Sequence, residues 1–373
     1  MKRIRVAMLV GGLDPGGTER QLVRALEQID RTRFEPAVIA LDNQQRHYEK
    51  ALEMLDVRVL FVPLNCRGRL RRLLFLVRTL RQLRAETVHS WSFFANAYAG
   101  IAGRLAGVPR RFGSLRSSWS EAGVQSLSPW MRRLCLTTVD RLVVNSRQAG
   151  VELTALGIPE GRWIFIPNAV ESTESAGEPI GDQALETLGL RTFQRLIGAV
   201  GNLRRVKNHS LLLRALAPVL ERHPDAGAVI VGGEVAEEKT MRQDLEQLRQ
   251  DLGLEGRVVF AGFQRDVEPW LRRFEIFCHP STDEGMPNAV LEAMQHRLPV
   301  VATRVGELPE LLDGAGLLVD PGDVDGLTQA LNQLLGQPDG ARRLGETAAE
   351  RIRTRYAGAQ STRQLEALYQ GEI

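Results

Sequence analysis

Cysteine is scarce in this chain. Only Cys66, Cys135 and Cys278 occur among the 373 residues, and no two of them are close in sequence. This spacing argues against a disulfide framework and against a zinc site of the paired-cysteine type. It favours a reducing compartment.

Long apolar runs are also missing, and none approaches the roughly 18 residues of a membrane-spanning helix. Basic residues precede an apolar stretch at the amino terminus, as in a signal peptide. That stretch has only five residues before Gly11, however, and is better read as a first buried strand. We therefore expect a cytoplasmic protein that does not cross the bilayer.

Acidic residues are unevenly distributed, and none occurs between Val57 and Ala85. Residues 1–170 contain 26 Lys and Arg against 14 Asp and Glu, a net charge of +12. The remaining residues contain 22 against 31, a net charge of −9. The basic half predicts an anionic partner, which we do not expect to be a nucleic acid.

The acid-free stretch includes a basic amphipathic helix, predicted over residues 67–84. Leucines and a valine occupy one face, and arginines occupy the others. Such a helix can lie on an anionic membrane surface. Alternatively, its apolar stripe belongs to the core and its arginines are solvated. Both alternatives stay open, so the protein is either fully cytoplasmic or peripheral on the inner face of the cytoplasmic membrane.

The length and the order of the predicted elements indicate two α/β domains. A chain of 373 residues with 43% hydrophobic and 25% charged residues is a soluble globular chain too long for one typical core. Predicted strands at 36–41, 57–62 and 87–90 alternate with helical segments, and the pattern restarts at 195–200. This alternation predicts doubly wound parallel sheets.

The most informative stretch is 278–294. It follows a short apolar run at 274–278, which we predict to be a buried strand, and it comprises the end of that strand, a loop and the start of a helix. Gly285 and Pro287 prevent a helix from beginning before about Asn288. Glu284 is therefore predicted in the loop, and Glu292 in the helix. Taken singly, each glutamate would be an ordinary solvated charge.

Together these features predict a ligand in which a sugar is joined to a phosphate. The first turn of a helix presents unpaired N–H groups and a positive dipole end, which suit a phosphate. Ionised carboxylates on either side of it suit sugar hydroxyls, because they are strong hydrogen-bond acceptors.

Two further turns suit phosphate. Gly16 and Gly17 lie between the first strand and a helix, where glycine lets backbone approach a ligand closely; the spacing fits neither the dinucleotide nor the Walker pattern. The turn at 201–209 carries Arg204, Arg205 and Lys207 before a helix, and these cations suit a diphosphate. A plain tight turn and a solvated basic loop are the respective alternatives.

The string Glu-Gly-x-Pro-Asn-x-x-Leu-Glu-Ala-Met at 284–294 closely resembles the E-x7-E motif of the GT4 family of retaining glycosyltransferases. The resemblance extends from Gly16 to residue 323. It implies the GT-B fold, with two Rossmann-like domains facing across a cleft. The expected domains are an acceptor-binding domain at 1–170, a linker at 171–191 and a nucleotide-sugar-binding domain at 192–353. A last helix at about 354–373 would pack back onto the first domain.

The resemblance also implies roles for individual residues. Arg116 stands where many members have a histidine, so the choice of donor is in doubt. Asn202 stands where they have an arginine, so Arg204 or Arg205 is expected to contact the diphosphate instead. Ser146 and Asn168 fall at family positions near the cleft. The predicted catalytic residues are Lys207, Glu284 and Arg116, and the predicted donor-binding residues are Gly16, Gly17, Asn202, Arg204, Arg205, Gly233, Phe263, Gly285, Met286, Pro287, Asn288, Ala289 and Glu292.

His89 and Ser114 lie near the carboxyl ends of two predicted strands, where parallel sheets bind ligands. We predict that both contact the acceptor; the alternative for His89, a satisfied histidine at a strand end, is slightly favoured by its position alone. Both readings stay open at this point.

The resemblance implies transfer of a sugar, with retained configuration, from a UDP- or GDP-sugar to a hydroxyl of a glycan or lipid-linked acceptor in envelope or exopolysaccharide synthesis. No cofactor or metal is expected. One rival is an enzyme of the same fold that uses another activated sugar, such as a sugar phosphate. The other is a non-catalytic nucleotide-sugar-binding partner of a polysaccharide assembly complex.

Overall fold

The computed structural model describes residues 3–42, 46–66, 68–170, 178–236 and 238–373. The chain divides into two compact units, which are described separately. Unit 1 is Met1–Glu171 together with Tyr356–Ile373, and unit 2 is Ser172–Arg355. Across the described ranges, no helix is both long and apolar enough to cross a membrane.

Unit 1 contains a parallel sheet, which has seven strands within the described residues in the order β3-β2-β1-β4-β5-β6-β7. Most of the strand residues are apolar, as expected where helices cover both faces, although the fourth and fifth strands also carry polar residues. They are β1 (Ile4–Val10), β2 (Phe34–Ala40), β3 (Arg58–Phe61), β4 (Thr87–Ser90), β5 (Arg110–Leu115), β6 (Arg141–Val144) and β7 (Trp163–Phe165).

The helices in the first segment of unit 1, before residue 171, alternate with the strands. Their buried leucines and valines form the cores on the two faces of the sheet. They are α1 (Gly17–Gln28), α2 (Glu49–Met54), α3 (Arg69–Gln82), α4 (Asn96–Ala106), α5 (Ala122–Gln125), α6 (Pro129–Thr137) and α7 (Arg147–Ala155).

Unit 2 contains a second parallel sheet, with six strands in its described part, in the order β10-β9-β8-β11-β12-β13. The strands are β8 (Arg195–Val200), β9 (Ala226–Val231), β10 (Val258–Gly262), β11 (Ile276–His279), β12 (Val300–Thr303) and β13 (Leu317–Val319). The remaining helices are α8 (Asp182–Thr187), α9 (His209–Arg222), α10 (Met241–Asp251), α11 (Glu268–Leu271), α12 (Asn288–Gln295), α13 (Leu308–Leu312), α14 (Val324–Gly336), α15 (Pro338–Arg355) and α16 (Gly358–Gln370).

The last helix, α16, belongs to unit 1. It contacts α1 and β1, and its Leu368 and Tyr369 are fully buried in the core of that unit. The chain enters α16 through a backbone bridge from Val170 to Ala357. The carboxy-terminal segment therefore completes the core of unit 1.

The predicted linker at 171–191 is too long. Residues 171–177 lie outside the described residues, but the segment after them packs as part of unit 2. Ile180 donates its N–H to the carbonyl of Pro269, and Leu185 and Leu190 are 1% and 0% exposed. The polar composition around residue 180 concealed the burial of these two leucines: Leu185 lies on α8, and Leu190 follows that helix.

Candidate functional site

The sheet of unit 2 has a topological switch point beside β8. The strand β9 pairs with one edge of β8, and β11, which is much later in the chain, pairs with the other. Ligands of doubly wound sheets bind outside the carboxyl ends of the strands at such a point. Here the loop after β8 carries Lys207, and the loop after β11 carries Glu284.

Lys207, Glu284 and His279 meet at this switch point. The Nζ atom of Lys207 is 2.6 Å from Oε1 of Glu284, and Nε2 of His279 is 2.9 Å from the same oxygen. Burial works to raise the pKa of the Glu284 carboxyl, but the Lys207 charge and the His279 hydrogen bond outweigh it and hold that pKa well below its usual range. Glu284 is therefore ionised at neutral pH.

Backbone contacts fix the two loops against each other. The N–H of Thr282 donates to the carbonyl of Val206 at 2.8 Å, which joins the Glu284 loop to the Lys207 loop. A third loop also presses on Glu284: Gly306 has φ +57°, and a Cβ there would lie 2.3 Å from the Glu284 carbonyl oxygen. Only glycine suits this close approach, so the position of Glu284 is set by several elements.

The helix predicted after Pro287 is confirmed. It begins at Asn288, and Pro287 is its N-cap residue with an extended backbone. The first N–H groups of such a helix have no partner within it, so its start presents donors beside the loop that carries Glu284. Gly285 and Met286 belong to this loop, and Ala289 belongs to the first turn of the helix. Glu292 is buried and lies one turn further along α12.

The basic turn after β8 is a 3-10 turn over Arg205–Lys207, closed by Asn208 in the left-handed conformation. Glu238 engages its arginines: Oε1 lies 3.6 Å from Nε of Arg204, and Oε2 accepts the Arg205 N–H at 2.7 Å. Lys207 is thus a cation that the fold brings to Glu284, whereas Glu238 contacts the side chain of Arg204 and only the backbone N–H of Arg205. Asn202 precedes them, half-buried at the mouth of the turn.

Gly233 and Phe263 lie side by side after β9 and β10. A Cβ on Gly233 would be 3.1 Å from Cβ of Phe263, and the Gly233 carbonyl accepts the Leu203 N–H at 2.8 Å. The ring of Phe263 is 55% exposed. Both residues therefore border the same edge of the sheet as Lys207, and their predicted contact with a base stays a prediction.

The corresponding switch point of unit 1 lies between β1 and β4 and is bordered by Arg116. The Arg116 Nη2 atom donates to Oδ1 of Asn168 at 2.6 Å, and its guanidinium lies 4.7 Å from the centre of the Trp91 ring. Burial lowers the pKa of Arg116 to about 10, while Tyr369 and Glu19 act to raise it. The guanidinium stays charged at neutral pH and is held rigidly.

Gly16 and Gly17 form the start of α1, with Gly16 as N-cap residue. The carboxyl group of Glu19 folds back over this turn, so a Cβ on Gly16 would lie close to Glu19 Oε2. Burial raises the pKa of Glu19 to about 7, Asp14 raises it further, and Arg116 opposes the rise. Glu19 was not singled out from the sequence, since its partners come from other parts of the chain.

His89 and Ser114 are core residues. Both are 0% exposed; Nδ1 of His89 is 2.7 Å from the Tyr369 hydroxyl, and its Nε2 is 3.0 Å from the Ser114 hydroxyl. Burial lowers the pKa of His89 to about 3, so the ring is neutral. Acceptor contact therefore finds no support in their surroundings, because α16 covers this strand end. The alternative of a satisfied strand-end histidine fits His89.

Two other expected positions also have structural partners. Ser146 caps α7, and its hydroxyl accepts the Ala149 N–H at 3.1 Å. Asn168 receives the Arg116 hydrogen bond described above. In unit 2, Nε2 of His209 lies 3.2 Å from the Gly201 carbonyl oxygen, and burial lowers the pKa of His209 to about 4. Because a carbonyl only accepts, Nε2 of His209 carries the proton.

Known families match both halves of the chain. Residues 15–174 match the family described as Glycosyltransferase Family 4, and residues 194–337 match the one described as Glycosyl transferases group 1. The chain belongs to glycosyltransferase family 4. This glycosyltransferase has the fold predicted from its sequence, with two Rossmann-like units.

Relatives of this glycosyltransferase include EpsF of Bacillus subtilis (strain 168), named as a glycosyltransferase, which is 27% identical over 84% of this chain and 82% of EpsF. The UDP-Gal:alpha-D-GlcNAc-diphosphoundecaprenol alpha-1,3-galactosyltransferase of Escherichia coli is 28% identical over 74% of each chain. The D-inositol 3-phosphate glycosyltransferase of Corynebacterium jeikeium is 32% identical over 67% of this chain and 63% of its own.

Among solved structures, HepE of Anabaena in complex with UDP-glucose superimposes with a TM-score of 0.86 and 22% identity, over 99% of this chain and 100% of HepE. TarM superimposes with a TM-score of 0.78 and 11% identity, over 99% of both chains. At these identities the likeness establishes the shared GT-B fold. Within the described residues, no group of three or more His, Cys, Asp or Glu side chains is arranged to hold a metal ion.

Proposed function

We propose that this glycosyltransferase moves a sugar, with retention of configuration, from a UDP- or GDP-sugar to a hydroxyl of a glycan or lipid-linked acceptor. One observation carries the proposal. At the switch point of unit 2, a partly buried cation and a partly buried carboxylate lie 2.6 Å apart, beside the amino-terminal end of α12. This arrangement supplies donors for a diphosphate and an acceptor for sugar hydroxyls within one small region.

The charges suit the bond that breaks. Cleaving the bond between the anomeric carbon and the phosphate oxygen leaves positive charge on the sugar and negative charge on the departing nucleoside diphosphate. Lys207 and the first N–H groups of α12 would stabilise that diphosphate, and such preorganised donors are a large catalytic contribution. The anomeric carbon then bonds to the acceptor oxygen, whose proton leaves with the diphosphate.

Glu284 and Glu292 would hold hydroxyl groups. Glu284 is ionised, so it has no proton to give a leaving group, and we do not assign it the acid role of a glycoside hydrolase. We assign Glu284 to the hydroxyls of the transferred sugar and Glu292, buried on α12, to those of the ribose. Asn202, Gly233 and Phe263 would then border the nucleoside.

Charge and relatives support the choice of donor and acceptor. HepE binds UDP-glucose, and the Escherichia coli relative uses a UDP-sugar and a diphosphoundecaprenol-linked acceptor. In this chain, Arg116 keeps a rigid positive charge at the switch point of unit 1. We propose that it attracts an anionic group of a substrate, and that Gly16 and Gly17 approach the substrates through their backbone.

Product analysis tests this function. The protein is incubated with UDP-glucose, UDP-galactose, UDP-N-acetylglucosamine or GDP-mannose, and release of UDP or GDP is measured with and without undecaprenyl-diphosphate-linked sugars. We expect release of either UDP or GDP, but not both, and an α-linked product from an α-linked donor. We also expect full activity in EDTA, because Lys207 and the α12 amides supply the positive charge. Binding of a nucleotide sugar without any release would instead favour the non-catalytic alternative.

We also propose that unit 1 docks on an anionic membrane through the amino-terminal half of α3. Leu70 and Leu74 there are 69% and 48% exposed, whereas Leu76 and Leu80 in the other half are buried in the core. The neighbouring Trp130 of α6 is 54% exposed, and the Arg69 guanidinium lies 5.7 Å from its ring. Exposed leucines, an aromatic ring and arginines together suit a lipid interface.

Sedimentation with vesicles tests the docking. The protein should pellet with vesicles of phosphatidylglycerol and phosphatidylethanolamine at low salt and release at high salt. The double substitution Leu70→Ser and Leu74→Ser should abolish pelleting. The matched control is Val151→Ser with Leu156→Ser, which removes similarly exposed apolar side chains from α7 and from its C-cap residue. Equal pelleting of both variants would rule out this surface.

A further inference from the structure

His279 is a buried titratable residue next to the proposed donor site. It is the last residue of β11, its side chain is 3% exposed, and its ring stacks on Phe277 at 12° between planes. Its Nε2 atom is 2.9 Å from Oε1 of Glu284 and 3.1 Å from the hydroxyl of Ser281. The ring is thus held on one side by Phe277 and on the other by the loop after β11.

The contact with Glu284 determines the tautomer of His279. An ionised carboxylate only accepts hydrogen bonds, so a nitrogen at 2.9 Å from it must carry a proton. Burial lowers the pKa of His279 below its usual value, with Lys207 acting in the same direction and Glu284 opposing both. His279 is therefore neutral, with its single proton on Nε2, and it donates to Glu284.

This hydrogen bond fixes how the Glu284 carboxylate faces its surroundings. Among the described residues, both protein contacts of this carboxylate, from Lys207 and from His279, fall on Oε1. The other oxygen, Oε2, is thereby left to accept hydrogen bonds from a ligand. Without His279 the carboxylate could rotate about its last bond, because a single ammonium group does not define an orientation.

Lys207 alone cannot hold Glu284 throughout a reaction. An ammonium group has three donors, and under the proposed function one or more of them turn to the diphosphate as its charge grows. A buried carboxylate that loses part of its partner is costly. The donor on His279 belongs to the sheet and does not move with the substrate, so it keeps Glu284 in place while Lys207 is shared.

We propose that His279 is a positioning residue of the donor site: its Nε2–H group holds Oε1 of Glu284 so that Oε2 faces the hydroxyls of the transferred sugar. This inference rests on the proposed function. It assigns to His279 a role in recognition of the sugar part of the donor, and none in recognition of the nucleotide.

Two substitutions separate this role from packing. His279→Leu keeps the volume and removes the donor, whereas His279→Gln can place an amide N–H near the position of Nε2. The matched control is Cys278→Ala, which shortens a fully buried side chain of the same strand, one residue away and on the opposite face of the sheet. All three are compared with the wild type by thermal unfolding, by calorimetry with UDP and UDP-glucose, and by steady-state kinetics with the preferred nucleotide sugar.

We expect His279→Leu to bind UDP within about twofold of the wild type but to lose roughly ten- to a hundredfold in kcat/KM, as when a residue supporting a charged ligand is removed. His279→Gln should recover most of this loss. The acidic limb of the pH–rate profile should move to higher pH in His279→Leu, because one of the two groups that lower the pKa of Glu284 has gone. Cys278→Ala should lower the melting temperature and leave kcat/KM and the pH profile unchanged.

Each negative outcome has a distinct meaning. If the wild type releases no nucleotide from any donor and takes up neither UDP nor UDP-glucose, the proposed function fails. If the wild type is active and His279→Leu keeps its kcat/KM and its pH profile, the role of His279 is overturned. Should His279→Leu not fold, His279→Asn replaces it: its shorter amide ends near the position of Nδ1, so it should be impaired where His279→Gln is active.

Discussion

Replacing Lys207 by methionine should weaken both catalysis and the stability of unit 2. Methionine keeps an unbranched apolar stem beside Gly201 but removes the ammonium group that lies 2.6 Å from Glu284. The turnover number should fall roughly ten- to a thousandfold, as it does when a group that stabilises transition-state charge is lost. Affinity for the nucleoside alone should change much less.

The stability loss follows from the exposure of the pair. The side chains of Lys207 and Glu284 are 24% and 12% exposed. Removing one member of a fully buried pair costs about 3–5 kcal/mol, and an exposed pair contributes about 0–1 kcal/mol. Because this pair is intermediate and His279 still donates to Glu284, we expect about 2 kcal/mol. For a unit of this size that is about 4–8 °C in melting temperature.

The pH dependence of this loss gives a sharper test. Lys207 holds the pKa of Glu284 below the value of 4.5 for a free glutamate. The stabilisation is therefore complete above about pH 4.5 and is lost as the pH falls further. The difference in melting temperature between Lys207→Met and the wild type should be widest at pH 7 and should narrow towards pH 4.

Calorimetric unfolding at pH 4, 5.5 and 7 measures this difference, with Lys239→Met as the control for loss of an exposed lysine. If Lys207→Met unfolds at the wild-type temperature at pH 7, the pair contributes no stability and the account of Glu284 is wrong. If its turnover is normal, the assignment of Lys207 to the diphosphate is wrong.

Three further predictions concern other parts of the chain. Glu292→Ala should weaken UDP binding about ten- to a hundredfold by calorimetry, since hydrogen bonds to a charged group contribute about 1.5–3 kcal/mol, and unchanged affinity would contradict the ribose assignment. Tyr369→Phe removes the hydroxyl 2.7 Å from Nδ1 of the buried His89 and should cost about 1–3 kcal/mol, seen as a lower melting temperature of unit 1. Glu19→Gln should flatten the pH dependence of unit 1 stability. Burial raises the pKa of Glu19 to about 7, so the folded state holds this proton more tightly than the unfolded state does. The stability of the wild type therefore falls as the pH rises from about 4.5 to 7. An equal slope in Glu19→Gln would remove Glu19 as its cause.

Local residue patterns were sufficient for the elements around the site. The strands β4 and β8 begin and end at the predicted residues. β8 is mostly apolar, and β4 starts with two β-branched residues, Thr87 and Val88, which favour strands. The start of α12 at Asn288 also followed from Gly285 and Pro287 alone. The strand before the motif was predicted at 274–278 and lies at Ile276–His279, since the Phe274 N–H instead bonds to the Trp270 carbonyl and continues the turn of α11.

The helix α3 shows where a local pattern is insufficient. Its apolar stripe predicted either a core face or a membrane face, and the structure divides the stripe between the two environments. Leu76, Val77 and Leu80 lie in the core, while Leu70 and Leu74 are exposed. A helical period records which side chains share a face and carries no information on how far a neighbouring element extends along that face.

The sequence by itself determined the family, the two parallel-sheet units and the turn in which Glu284 precedes a helix, because those features depend on residues that are close together in the chain. Only the tertiary structure decided which side chains meet. Tyr369 reaches His89 across 280 residues and makes it a core residue, and β11 delivers His279 to the carboxylate that Lys207 also binds. The physical reason is that burial and pKa depend on neighbours brought together by packing, which local propensity does not encode.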